Sequence, residues 1–269
     1  MVLGGDADGL GADMVAAMDS NMSAYWSAYG SSGGCTLLEA PGIVAYATSV
    51  PHPLFNGAIV SREPGPELDA ARTQLGEKIA RDGTPALWWI GPAAQEEGTG
   101  ERLASKGLAE AGTVPAMIAR IDDLPAAAVP ERLRIDAAST PPQRAQWGRI
   151  AAVGTGFPGA AAEALADVEE GIPDTALAGQ TRFTGYLDGK PVATSSLVLS
   201  HGLAGVYAVA TLPEARRRGI GAAMTLHALQ AAKAAGAQVA VLQSSSMGRP
   251  IYERMGFTRR FDYRIFQQT

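Results

Sequence analysis

The chain has 269 residues, of which 46% are hydrophobic and 18% charged, and its net charge is −5. That much apolar material supplies the core of one large or two modest domains, while the acidic balance excludes a nucleic-acid partner, which would be gripped through clustered Lys and Arg. One cysteine, Cys35, and three separated histidines, His52, His201 and His227, give neither an internal disulfide nor the spacing of a metal site, so no metal is expected. The acidic, Gly-rich start lacks the basic and apolar regions of a signal peptide, and no apolar run approaches the length of a membrane span. The expectation is a soluble cytoplasmic protein with no membrane partner.

In chain order, residues 43–61 hold strand-like runs, 66–81 a helix, 86–90 a buried strand, 101–111 a helix and 114–121 a last strand. Trp88 and Trp89 are adjacent in the buried strand, so their rings face opposite sides of the sheet; core packing and an aromatic ligand platform are the two readings. Prolines and alanines over 124–131 mark a seam, which sets domain limits of 1–125 and 131–269.

Beyond the seam, 143–153 and 160–170 read as helices separated by Gly154-x-Gly156-x-x-Gly159. The glycine spacing matches a dinucleotide fingerprint, but Pro158 interrupts the helix entrance and no apolar strand precedes it. A flexible loop carrying Phe157 is the better reading. Strands follow at 181–187 and 191–200, joined by the hairpin signal Asp188-Gly189, and a third at 203–211. A long helix over 218–235 is apolar on more than one side and carries His227 on its apolar stripe, as a core histidine. Residues 239–242 form a strand buried on both faces, serines 244–246 offer N-caps for a short helix ending at Gly256, and Phe257, Phe261, Tyr263 and Ile265 alternate as a final strand.

Between the third strand and the long helix stand Arg216, Arg217, Arg218, Gly219, Ile220, Gly221 and Ala222. Glycines permit close backbone approach, successive amides at a helix N-terminus converge on an anion, and the arginines add charge, so the segment reads as a phosphate cradle. Sequence alone would allow chloride or sulfate there as well. The first half repeats the order helix, apolar strand, short helix, strand, but at the matching point it carries SREPGPEL, residues 61–68. Two prolines remove backbone donors and two glutamates oppose an anion. This reads as a duplication with one silent copy; an unrelated α+β first half is the alternative.

With these elements in this order, and with the run PIYERMGF at 250–257, the second half resembles the GCN5-related N-acetyltransferase superfamily, and the two halves together resemble its tandem arrangement. The resemblance implies an α/β fold of two such domains, each a mixed, mostly antiparallel twisted sheet flanked by helices. It implies acetyl-CoA as cosubstrate, with Val209, Ala210 and Thr211 pairing to the pantetheine arm, amides from Arg217 to Ala222 holding the pyrophosphate, and Arg216 at a Gln or Arg position. Ser245 stands where many relatives carry an asparagine, a departure that weakens the pantetheine contact. Tyr252 falls at the family's tyrosine that protonates the departing thiolate, although spacing alone also allows it to be a core residue. The general base has no assignment: the fourth-strand carboxylate of some relatives falls near Gly205, and His201, Glu169, Glu170 or a water are alternatives. The acceptor implied is a small-molecule amine or a peptide, the protein a monomer or homodimer. A CoA-binding sensor without chemistry is the second reading.

Overall fold

A computed structural model describes residues 11–126, 129–157 and 159–269. The first half runs α1 (Ala12–Gly30), β1 (Thr36–Ala40), β2 (Ile43–Ala47), β3 (Asn56–Val60), α2 (Glu67–Asp82), β4 (Ala86–Ile90), α3 (Pro92–Glu96), α4 (Thr99–Ser105) and β5 (Ala109–Arg120). The second runs β6 (Leu133–Ala137), α5 (Pro141–Thr155), α6 (Gly159–Gly171), β7 (Gln180–Leu187), β8 (Lys190–Ser200), β9 (Leu203–Thr211), α7 (Ile220–Ala234), β10 (Val239–Gln243), α8 (Arg249–Arg254) and β11 (Thr258–Gln268). Among the described residues no helix is long and apolar enough to cross a membrane.

Local chemistry accounts for most of these limits. Before α5, Gln143 accepts hydrogen bonds from the Ser139 and Thr140 amides at 3.0 Å, Pro141 presets the first turn, and Gly156 closes the helix in the left-handed region at φ 85°. The helix expected over 101–111 ends instead at Ser105, and from Ala109 the chain is strand. Gly107, at φ 91°, breaks the helix, and pairing of Ala109 with Gln267 overrides the helical preference of the alanines and Glu110 that follow.

The eleven strands among the described residues join one mixed sheet in the order β1-β2-β3-β4-β11-β5-β10-β9-β8-β7-β6. Among the described residues only β3/β4 and β9/β10 are parallel, one pair in each half and each spanned by a helix, α2 or α7. The centre of the sheet exchanges strands between halves. β5 of the first half pairs with β10 of the second, and β11 of the second pairs with β4 of the first, while β5 and β11 pair antiparallel with each other. The two domains therefore share one hydrogen-bonded sheet.

The two parallel pairs differ at one decisive place. β3 and β4 stay paired from Gly57–Leu87 to Val60–Ile90, whereas β9 and β10 pair only at Ala204–Ala240 and Gly205–Val241 and then diverge. In the first half, moreover, the position of the arginine turn is filled from within: the Glu63 carboxylate takes the Arg102 guanidinium and the Thr99 hydroxyl, and α2 begins with Glu67 and Asp69. In the first half this place is closed by strand pairing and by its own carboxylates.

Helix α1 had no counterpart in the sequence reading. Met14, Met18, Met22, Tyr25 and Tyr29 recur at helical spacing and are all buried in a core that also takes Trp89 and Tyr46 from the first half and Trp147, Leu165 and Tyr207 from the second. Asn21 fastens the helix to the second half, donating to the Val198 carbonyl at 3.1 Å and the Ser200 hydroxyl at 3.0 Å and accepting from the Tyr207 hydroxyl at 2.7 Å.

Two residues earlier, Asp19 is 1% exposed and accepts a hydrogen bond from the Tyr263 hydroxyl at 2.6 Å. Burial pushes its carboxyl up to about 7, with the Tyr263 bond opposing that rise. A raised acid contributes stability that is complete below its unfolded value near 4 and is lost as pH rises to about 7. Asp19→Asn keeps the acceptor and removes the charge, so in urea melts it should gain stability over the parent on the order of 2–4 kcal/mol at about pH 8, with the gain shrinking towards about pH 4. A difference that does not change with pH would show that Asp19 keeps an ordinary acidity.

Candidate active site

The divergence of β9 from β10 leaves the last residues of β9 without a strand partner on that side, as an extended ligand chain would require. The strand is also reshaped there. Ala208 takes φ 47°, unusual for a residue with a side chain, where the register with β8 slips between Thr194 and Ser196, and the Thr194 hydroxyl fixes its carbonyl at 2.9 Å. Two cavities open at this fork. One, of about 720 Å³, lies against the N-terminus of α7; the other, of about 320 Å³, lies beneath α1; Val209, Ser245 and Tyr252 line both.

The larger cavity is lined by Val209, Ala210, Thr211, Arg216, Arg217, Gly219, Ile220, Gly221, Ala222, Ser245 and Tyr252, so it gathers every expected site residue except Arg218. Gly219 at φ 75° and Arg217 at φ 61° turn the backbone into α7, which has no side-chain cap. The first helical amide with an internal partner is that of Ala223, bonded to the Gly219 carbonyl at 3.0 Å, leaving the preceding amides of the first turn to face a ligand. Gly221 leaves the floor open, since an added Cβ would come no closer than 3.9 Å to Thr211 or Val209. Uncapped amides, positive-φ turns and exposed arginines fit a diphosphate, and the exposed Met247 and Ile251 supply an apolar rim. Arg216 has a structural task as well: it donates to the Thr211 carbonyl at 3.1 Å and the Gly154 carbonyl at 3.0 Å, bracing the end of β9 against α5. Gly154 is needed there, because a Cβ would press on Ala210 at 3.0 Å.

Tyr252 sits on α8 at the junction, its ring edge-on to Phe257 at 5.9 Å. Burial pushes its phenol up to about 12, and a hydrogen bond with the Thr225 hydroxyl works against that shift. It is therefore protonated at neutral pH, and it borders both cavities. Ser245 is exposed and its hydroxyl accepts the Gly248 amide at 3.1 Å, which fixes the turn into α8.

The smaller cavity is walled by both halves: Tyr25, Trp26 and Trp89 from the first, Trp147, Phe157 and Tyr207 from the second. Tyr25 stacks on Tyr207 at 4.3 Å, and Phe157 lies 4.0 Å from the His52 ring. Trp88 and Trp89 divide as expected, Trp88 into the separate core under α2 with its indole bonded to Gln268 at 3.1 Å, Trp89 into the cavity wall. Pro158 of the glycine loop lies outside the described residues, and His227 packs edge-on against Phe183 at 5.0 Å, its pKa lowered by burial.

None of the sequence candidates for a base reaches the fork directly. Glu169 is fully buried, ion-paired with Arg182 at 3.1 Å and accepting from the Tyr29 hydroxyl at 2.6 Å. Tyr29, which lines the smaller cavity, in turn bonds Tyr25 at 2.9 Å, so Glu169 communicates with the cavity through tyrosine hydroxyls rather than directly. Glu170 and His201 are exposed, and His201 borders a different depression beside Ser20 and Glu39. Gly205 has no side chain for a steric reason: a Cβ would overlap Asn21 and Tyr207, which occupy the place a carboxylate would need. The sequence reading missed Met22, Tyr25, Trp26 and Tyr29, though their helical spacing in an apolar stretch was the available signal.

Residues 200–260 match the family model described as an acetyltransferase (GNAT) domain. No curated protein matches the chain. Among solved structures, a GCN5-related N-acetyltransferase from Kribbella flavida is similar at TM-score 0.62 and 20% identity, covering 94% of this chain and 95% of that one. A tandem GNAT protein from the clavulanic acid biosynthesis pathway is similar at TM-score 0.56 and 13% identity over 98% of this chain and 95% of that one. A GCN5-related N-acetyltransferase from Sphaerobacter thermophilus gives 0.55 and 16% over 87% and 80%. The family resemblance and the fold of two acetyltransferase-like domains stand on these matches, with the strand exchange at the centre as a feature the sequence reading did not contain.

Proposed function

From the premise of a tandem GCN5-related N-acetyltransferase fold, whose second half alone has an open fork, we propose that this protein transfers the acetyl group of acetyl-CoA directly to an amine. The observation that carries the reading is the meeting of two cavities at Val209, Ser245 and Tyr252, one suited to a diphosphate and one enclosed by aromatic rings. The catalytic unit is assigned to 131–269 and the degenerate copy to 1–125.

In this reading the α7 amides and Arg217 hold the pyrophosphate, the free edge of β9 at Val209, Ala210 and Thr211 guides the pantetheine arm inward, and the Val209 amide polarises the thioester carbonyl, where a donor aimed at the developing oxyanion lowers the barrier. A neutral amine in the smaller cavity attacks that carbon. The C–S bond breaks as the C–N bond forms, the nitrogen gives up one proton, and the sulfur receives one, with Tyr252 placed to donate it. Among the described residues Ser244 and Ser245 line the fork, each bonded to backbone rather than to a base, so the reading needs no acyl-enzyme.

The test is calorimetry with CoA together with free-thiol release from acetyl-CoA across a panel of amines. Binding accompanied by amine-dependent thiol release, in sequential kinetics without an acetylated protein, is the expected result. Binding without thiol release from any amine would favour the sensor reading.

A further inference from the structure

The smaller cavity has a chemistry of its own. Its wall is dominated by aromatic side chains, and among the described residues no Asp, Glu, Lys or Arg lines it. Two of its lining side chains carry N–H groups that are buried without a hydrogen-bond partner: the Trp89 indole, on a residue only 7% exposed, and the Gln243 amide at the end of β10. A buried donor left unmade costs about 1–3 kcal/mol, so these groups mark where a ligand acceptor atom belongs.

Resting on the acetyl-transfer reading, we propose that the acceptor is a small primary amine with an aromatic or bulky hydrocarbon body and one uncharged hydrogen-bond acceptor, such as a carbonyl, and that amines carrying further cationic groups are excluded. The rings supply apolar surface at roughly 25 cal/mol per Å² for the body of the molecule. A second ammonium group would be buried with no carboxylate to pair it, at a cost of several kcal/mol, and a carboxylate on the acceptor would equally lack a cation. A carbonyl can accept from the Trp89 or the Gln243 donor without bringing charge. The volume of about 320 Å³ lies at the low end of ligand pockets, which suits one small molecule.

The same wall explains how the reaction proceeds without a carboxylate at Gly205. An apolar cavity disfavours the ammonium form, so the bound amine becomes a weaker base and loses its proton to solvent before attack.

The experiment measures thiol release from acetyl-CoA with phenylalanine amide, 2-phenylethylamine, spermidine and kanamycin, and binding of the same amines by calorimetry. Phenylalanine amide should exceed spermidine and kanamycin in kcat/KM at least a hundredfold. In Trp89→Phe, which removes the indole N–H and keeps a ring, the ratio of kcat/KM for phenylalanine amide over 2-phenylethylamine should fall about tenfold with CoA affinity unchanged; Gln243→Met gives a second reading of the same ratio should the first variant not fold. Spermidine or kanamycin used as well as the aromatic amines, or a ratio unmoved in both variants, overturns the proposal while leaving acetyl transfer intact. No thiol release from any amine, with phenylalanine amide still bound in a Trp89-dependent manner, defeats acetyl transfer but upholds the cavity's selectivity. Failure of both aromatic amines to bind defeats the proposal.

Discussion

Expressed alone, residues 131–269 should fail to give a cooperative melt, and co-expression with 1–126 should restore a soluble complex that binds CoA. The reason is the strand exchange. Without the first half, β10 loses its partner β5, and β11 loses both β4 and β5. Phe266, 1% exposed in the core under α2, would be stripped of its surroundings, as would Ile265 and Tyr263. The fully buried Met18 and Tyr29 of α1, with Met22 and Tyr25, would also be withdrawn from the second half. Each large apolar side chain of this kind is worth about 1.5–3 kcal/mol of burial, and a domain's whole net stability is about 5–15 kcal/mol, so the loss exceeds what the half could hold. Exposed edges on β10 and β11 would then pair between molecules. Differential scanning calorimetry and size-exclusion chromatography decide the point. A monomeric 131–269 with a sharp transition and CoA binding would mean that the exchange is dispensable.

Tyr252→Phe should lower turnover at least tenfold while CoA binds as before. The substitution retains the ring and its contact with Phe257 and removes only the hydroxyl. A positioned acid contributes about 100- to 10,000-fold, which sets the scale of the loss. The phenol, raised to about 12, is a weaker acid than a thiol near 8.5, so its first contribution is a hydrogen bond to the charge building on sulfur, with full transfer completed as the attacking nitrogen gives up its proton. Steady-state thiol release gives turnover and calorimetry gives affinity. Turnover equal to the parent's would leave Tyr252 as a packing residue and return the proton to solvent.

Much of the second half was legible because its signals are local. The Asp188-Gly189 hairpin, the strand at Leu203–Thr211, the arginine turn and the helix after it depend on neighbours within a few residues, and each lies where periodicity and turn chemistry place it. The different helix entrance of the first half was legible for the same reason, since prolines and glutamates at 61–68 spoil an anion-binding entrance whatever surrounds it.

Other features depended on contacts between distant parts of the chain. The stretch at 109–111 reads as helix by composition and becomes strand because β11, about 150 residues later, pairs with it. Arg216 reads as an anion ligand, yet its guanidinium also braces Gly154 on another helix.

By itself, then, the amino-acid order determined the α/β elements, the arginine-glycine turn before α7 and the different helix entrances of the two halves, because those follow from side-chain periodicity and backbone stereochemistry. Only the tertiary structure decided that the halves trade their last strands, that α1 lies across both, that Gly205 is filled by Asn21, and that the smaller cavity is built from rings of both domains. These depend on non-local burial, whose free energy comes from surfaces far apart along the chain and is invisible until they meet.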